Sequence, residues 1–153
     1  MDAITLLKSD HEKVSAIFEK LEPTTERALK TREELFAKLK AELDVHAHIE
    51  ETIFYPAIKD AAETRAITLE GYEEHHVVKI LLSELASMPV DTEQWTAKLK
   101  VLKENVEHHV EEEEDEMFKS VRKILTKEEI DNLGARMEAE KQNQSGKIST
   151  AGA

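Results

Sequence analysis

Two side-chain pairs in this sequence have the types and spacing to hold a metal ion. His46 and Glu50 stand four residues apart in VHAHIEETIFYPA, and His109 and Glu113 repeat the spacing in HHVEEEEDEMF. On a helix that spacing places both side chains on one face, one turn apart. Each pair is preceded by a further histidine, His11 or His75. Imidazole and carboxylate together suit iron, manganese or zinc. Two anionic glutamates in a helical core are costly unless a cation lies between them.

The two sets are related by an internal repeat with an offset of 63 or 64 residues. His11 pairs with His75, and both have apolar residues at +3, +7 and +10: Val14, Phe18 and Leu21, then Val78, Leu82 and Leu85. His46 pairs with His109, Glu50 with Glu113, and Tyr55 with Phe118. The alignment chooses His75 over His76, because His76 has Lys79 and Ser83 at +3 and +7. It chooses His109 over His108, which is turned off the apolar row by about 100°.

Helices must position these residues. A first helix is expected over about 2–22, with the stripe Ile4, Leu7, His11, Val14, Phe18 and Leu21. Pro23 stops it. A second runs over about 26–61, its inward row being Leu35, Leu39, Leu43, His46, Glu50, Ile53 and Ala57, with a kink expected at Pro56. A third spans about 69–86 and is expected to begin after Gly71. A fourth spans about 92–125 through Trp95, Leu99, Leu102, Val106, His109, Glu113, Met117 and Val121. Thr126–Glu129 resembles a capping box opening a short fifth helix. Each half is a helical hairpin, so the expected fold is all-α, an up-down-up-down four-helix bundle of two duplicated hairpins. Residues 1–140 form the domain, and the polar stretch 141–153 is expected to be a disordered tail.

Composition agrees. The 153 residues are 35% charged with only 4 Gly and 3 Pro, which favours long helices. Without cysteine there is no disulfide, iron–sulfur cluster or thiolate zinc site. A net charge of −12 argues against nucleic acid or an anionic membrane as partner. No apolar run approaches the roughly 20 residues of a membrane span. The N-terminal residues lack a signal-peptide pattern, so a cytoplasmic protein is expected; a monomer is expected separately.

Taken together, His11, His46-x-x-x-Glu50, His75 and His109-x-x-x-Glu113 resemble the hemerythrin-like family, the HHE cation-binding domain. DHEKV, EETIFYP and EEHH extend the likeness over about residues 1–125. The inward rows carry His-x-x-x-Glu and single histidines rather than the Glu-x-x-His pairs of ferritin-like proteins, and the His-Glu-x-x-His signature is absent. The resemblance implies a non-haem di-iron centre: two iron ions, an oxo or hydroxo bridge, and Glu50 and Glu113 bridging. Oxygen-carrying hemerythrins have a further histidine on the third helix, where this chain has Lys79. They also carry aspartate five residues after the fourth-helix histidine, where this chain has Glu113 at four and Glu114 at five. Two irons offer about twelve positions, of which roughly two then remain open, rather than the carrier's one. That favours reaction with small oxidants (hydrogen peroxide, dioxygen or nitric oxide) over reversible carriage, and a role in oxidative or nitrosative stress defence. Turnover would make the chain a peroxide-decomposing or nitric-oxide-consuming oxidoreductase. The alternatives are an oxygen or iron binding, sensing or storage module, and a structural bundle holding zinc or manganese.

Other residues have two readings each. Tyr55 lies nine residues after His46, nominally on the opposite face, and packs there unless Pro56 rotates it inward to ligate iron or donate a proton. Glu111–Glu116, apart from Glu113, reads as a solvated face or as a patch that attracts iron. Glu51 reads as exposed, or as a partner of a ligating histidine. His48, His76 and His108 lie at the surface or beside the ligands. A hydrogen-bond partner is expected for each ligating imidazole, but the sequence does not identify it. Phe18, Ile53, Phe54, Leu82 and Met117 are candidate apolar walls.

Overall fold

Poor in Gly and Pro, this sequence builds long helices. The computed structural model describes residues 1–152, with side chains through Gly146, and no strand occurs among the described residues. Helix α1 is Ala3–Leu21, capped by Asp2, whose carboxylate accepts from the Thr5 N–H at 2.7 Å. Helix α2 is Leu29–Ile49 and α3 is Tyr55–Ile58, with a π turn, Glu50–Phe54, between them. Helix α4 is Arg65–Ala86. Helix α5 is Glu93–Glu112 and α6 is Phe118–Ile124, joined by a second π turn, Glu113–Met117. Helix α7 is Lys127–Gly152. Its capping box forms: the Thr126 N–H donates to Glu129 at 2.9 Å, and the Glu129 N–H to the Thr126 hydroxyl at 3.1 Å.

Three features differ from the sequence expectation. Helix α4 does not start after Gly71, which is buried within it. The fifth helix is not short: α7 runs on through the stretch assigned to a tail, and Ala153 lies outside the described residues. The fully buried row on α2 begins with Arg32 and Phe36, with Leu35 half-buried against the same cluster, and at the far end of the expected row Ala57 is exposed while Ile58 is buried. Arg32 sets the start of the row. Its guanidinium is buried, donates to the Thr24 hydroxyl and carbonyl and to the Val90 carbonyl at 2.7–3.0 Å, and stacks 4.9 Å over Trp95.

Helix α1 packs on α2, α4 on α5, and α7 lies across α1 and α2. The buried side chains form two apolar clusters. One contains Leu7, Phe54, Tyr55, Ile58, Phe118, Val121 and Met137; the other contains Val14, Phe18, Leu39, Leu82, Trp95 and Leu102. On each long helix the histidines and glutamates fall between residues of the two clusters, so they form a polar layer inside an apolar interior. No helix among the described residues is long and apolar enough to cross a membrane.

Candidate metal centre

All six sequence-selected residues are buried and converge in this layer. Ligating atoms of His11, His46 and Glu113 lie within 4.8 Å of one another, as do those of Glu50, His75 and His109. The two groups share their carboxylates. Glu50 Oε1 is 3.0 Å from His46 Nε2 and 3.1 Å from His75 Nε2. Glu113 Oε1 is 3.0 Å from His11 Nε2, while its Oε2 is 3.3 Å from His109 Nε2.

Every imidazole is aimed by a second carboxylate on its other nitrogen. His11 Nδ1 meets Glu114 at 2.6 Å, His46 Nδ1 meets Asp10 at 3.0 Å, His75 Nδ1 meets Glu51 at 3.2 Å, and His109 Nδ1 meets Glu74 at 2.6 Å. A carboxylate only accepts, so Nδ1 carries a proton and a neutral ring turns an Nε2 lone pair inward. Of these four acids the sequence reading offers only Glu51, as one of two alternatives; Asp10, Glu74 and Glu114 it leaves unidentified. The signal existed: Asp10 and Glu74 precede His11 and His75, and Glu51 and Glu114 come directly after Glu50 and Glu113, at the repeat offset. Glu51 and Glu114 are therefore not merely solvated.

The π turns explain Tyr55. In each, a backbone N–H reaches five residues back: Tyr55 to Glu50 and Phe118 to Glu113. One residue is in effect inserted, which rotates the downstream residues by about 100°. Tyr55 therefore swings to the interior rather than the opposite face. The expected Pro56 kink is not the cause, because the second turn forms with Lys119 at the equivalent position. Phe118 stacks on His11 with ring centroids 6.2 Å apart, and Tyr55 on His75 at 5.3 Å. Only Tyr55 has a hydroxyl. It donates to Glu113 Oε2 at 2.7 Å and lies 3.4 Å from His109 Nε2 and 3.5 Å from His75 Nε2.

The electrostatics are those of a site built around positive charge. Burial opposes a charged imidazole, yet Glu50, Asp10 and Glu113 outweigh it and push His46 up to about 10. His109 is raised well above its ordinary value by Glu113, Glu50 and Glu74 against the same opposition. Burial would raise Glu50, but His46 and its other neighbours hold it well below the usual carboxylate range. Burial, Glu113 and Glu50 keep the Tyr55 phenol protonated, far above its usual range. Protons thus supply the cationic charge when no metal does.

A cavity of about 30 Å³ adjoins the layer. All four imidazoles reach it, and Val14, Leu43, Val78, Leu82 and Val106 supply apolar walls, with Lys79 at the edge. Of the five candidate wall residues only Leu82 lines it; Phe18, Ile53, Phe54 and Met117 pack in the clusters. Tyr55 is not among its walls either.

A family model for the hemerythrin HHE cation-binding domain matches residues 2–121. The chain belongs to this family. A solved HHE-domain structure, the Rv2633c homologue of Mycobacterium kansasii, superposes with a TM-score of 0.84 at 27% identity, covering 96% of this chain and 89% of that one. The uncharacterised protein Rv2633c of Mycobacterium tuberculosis is 27% identical over 91% of this chain and 84% of its own length. A protein described as a DNA nickase from Nostoc sp. is 25% identical over 92% of this chain, which spans only 39% of that relative.

The donor set of this HHE domain fits a pair of metal ions. Four Nε2 atoms and two carboxylates are what iron, manganese or zinc accept. Within this donor set two buried atoms lack a hydrogen-bond partner, His46 Nε2 and Glu50 Oε2; outside it, Trp95 Nε1 and Glu112 Oε2 share that state. His46 Nε2 is close to Glu50 Oε1 without the alignment of a hydrogen bond. Buried polar atoms are rarely left so unless something absent satisfies them.

Proposed function

We propose that this chain is a hemerythrin-like di-iron protein that binds and reacts with hydrogen peroxide, dioxygen or nitric oxide in oxidative or nitrosative stress defence. It would be a cytoplasmic monomer folded as an up-down-up-down bundle. One observation carries the reading: four buried imidazoles, each held at Nδ1 by a carboxylate, face two shared glutamates with Nε2. His11, His46 and Glu113 would hold one iron, and Glu50, His75 and His109 the other, with both glutamates shared. Bound iron supplies the electrons that a small oxidant takes up.

The rest is work for the side chains. The apolar walls exclude bulk water and charged solutes, and a cavity of about 30 Å³ has room for one or two water-sized molecules beside the imidazoles. Lys79 donates to Glu51 at 3.0 Å, which fixes the acid that orients His75. Tyr55 holds a proton at Oη against Glu113 and is placed to act on the half of the centre formed by His75 and His109. The nicking of DNA is a property of the Nostoc relative, most of whose length has no counterpart here. With a net charge of −12, this chain is proposed to act without nucleic acid.

The test is metal content with an optical spectrum, before and after peroxide. Two irons per chain, near-ultraviolet absorption, and rapid peroxide decomposition lost in His46→Ala would support the proposal. Two irons without turnover would favour a binding or storage module. A single colourless zinc would overturn the di-iron reading.

A further inference from the structure

Helix α7 lies beyond the family match, which ends at residue 121, yet it reaches the metal layer. The Lys141 ammonium donates to Asp10 Oδ1, and Asp10 Oδ2 receives His46 Nδ1 at 3.0 Å. Asp10 is 2% exposed, so it is a buried carboxylate whose oxygens need donors and whose charge needs a cation, which Lys141 supplies. The equivalent acid of the other half, Glu74, is 25% exposed. Its further neighbours are His108 Nε2 at 3.7 Å and Glu112, and among the described residues no lysine pairs with it. The two halves thus share a plan, but among the described residues it is the acid on His46 that a C-terminal element closes.

We propose that Lys141 is a positioning residue for the metal centre. By anchoring Asp10 it holds the His46 imidazole with Nε2 facing inward, so the docking of α7 governs how firmly the centre keeps its metal. This rests on the metal-centre reading above. An acid with a fixed partner has one orientation, and an imidazole bonded to it has one tautomer and one ring angle. Without Lys141, Asp10 is free to turn, and the ring loses its alignment. Linkage makes the effect mutual: metal in the centre must also tighten the α7 contact.

The experiment uses the full chain loaded with iron and follows loss of iron to an external chelator, with amide hydrogen exchange along α7. Changing the partner of a ligating histidine typically weakens metal binding about 10- to 100-fold, so Asp10→Asn should release iron at least about 10-fold faster. Lys141→Met, one contact further out, should release it about 3- to 10-fold faster, with Lys141→Arg close to wild type. In an Asp10→Asn background Lys141→Met should add nothing, because both act through one contact. His48→Gln is the control for loosening alone. It removes the 3.2 Å contact between His48 and Glu140 of α7 without touching Asp10, and should leave release within about twofold of wild type. Iron should slow exchange in α7 around residue 141 in wild type but not in Lys141→Met. Equal release from wild type and Lys141→Met, full additivity with Asp10→Asn, or an equal effect of His48→Gln would each overturn the inference while leaving the di-iron centre standing. A wild-type chain that takes up no iron would overturn the centre itself, and this inference with it.

Discussion

Gly71→Ala should destabilise the protein, although the same change inside most helices stabilises by about 1 kcal/mol. A Cβ at Gly71 would lie 2.7 Å from Tyr55 Oη, 2.9 Å from its Cζ and 3.1 Å from its Cε2. Ordinary contact begins near 3.4 Å, so the phenol must retreat by about 0.7 Å. It has nowhere to go. Tyr55 is fully buried, with Tyr72 and His75 at 5.1 and 5.3 Å between ring centroids. Overpacking of this kind costs about 1–3 kcal/mol. The shift would also stretch the 2.7 Å hydrogen bond to Glu113 beyond useful range, a further loss of about 1–2 kcal/mol. Set against the helix gain, the net is a destabilisation of about 1–4 kcal/mol. Urea unfolding of the metal-free chain measures it. Tyr55→Phe should relieve part of the cost, since the nearest atom is gone while the ring carbons remain tight. A Gly71→Ala protein as stable as wild type, or more so, would refute the reasoning.

The same geometry sets other expectations. Gly134→Ala would drive a Cβ into the backbone of the first residues, against the Met1 carbonyl oxygen, the Asp2 carbonyl carbon at 2.6 Å and the Ala3 nitrogen at 2.7 Å. Backbone cannot swing aside as a side chain can, so a loss of at least about 2 kcal/mol is expected in urea unfolding. In iron-loaded protein, Tyr55→Phe should abolish any visible phenolate-to-iron band, and an unchanged spectrum would leave Tyr55 a hydrogen-bond donor to Glu113 alone. The metal-free chain should lose stability as pH rises. His46 is raised from 6.5 to about 10 on folding, so its contribution is complete below about pH 6.5 and gone above about 10. Glu50 and Asp10 are lowered, so their contribution is complete above their ordinary 4.5 and 3.8 and fails on acidification. Urea midpoints from pH 5 to 10 should fall toward the alkaline end, and a rise would contradict the assignment. Iron displaces those protons, so its apparent affinity should climb over the same range.

The six inward residues were legible because they sit on apolar stripes twice over, and duplication turns a common local pattern into a specific one. Repetition also held the four orienting acids in view. An acidic run, however, looks like a solvated face, and Glu114 was submerged in one. Tyr55 could not be placed because counting 100° per residue assumes an unbroken α-helix. A widened turn leaves no mark in residue type: EETIF and EEDEM share only their two leading glutamates. The row on α2 was misjudged at Leu35 because a buried arginine runs against hydropathy and is explained only by partners 8 and 58 residues away. The polar stretch after residue 140 offered no apolar stripe, so neither its helix nor the contact of Lys141 with Asp10 could be inferred from composition.

The acids that steer the imidazoles are exchanged between the halves. Asp10 and Glu74 serve histidines of their own hairpin, while Glu51 serves His75 and Glu114 serves His11 across the boundary. A lone hairpin would leave one of its two imidazoles without an acceptor and could finish a centre only by meeting a copy of itself about a twofold axis. Joining two copies in one chain makes that meeting independent of dilution. It also lets the halves drift apart: the phenol at 55 has a bare ring as its counterpart at 118, so two ions held by matching ligands would not be chemically alike.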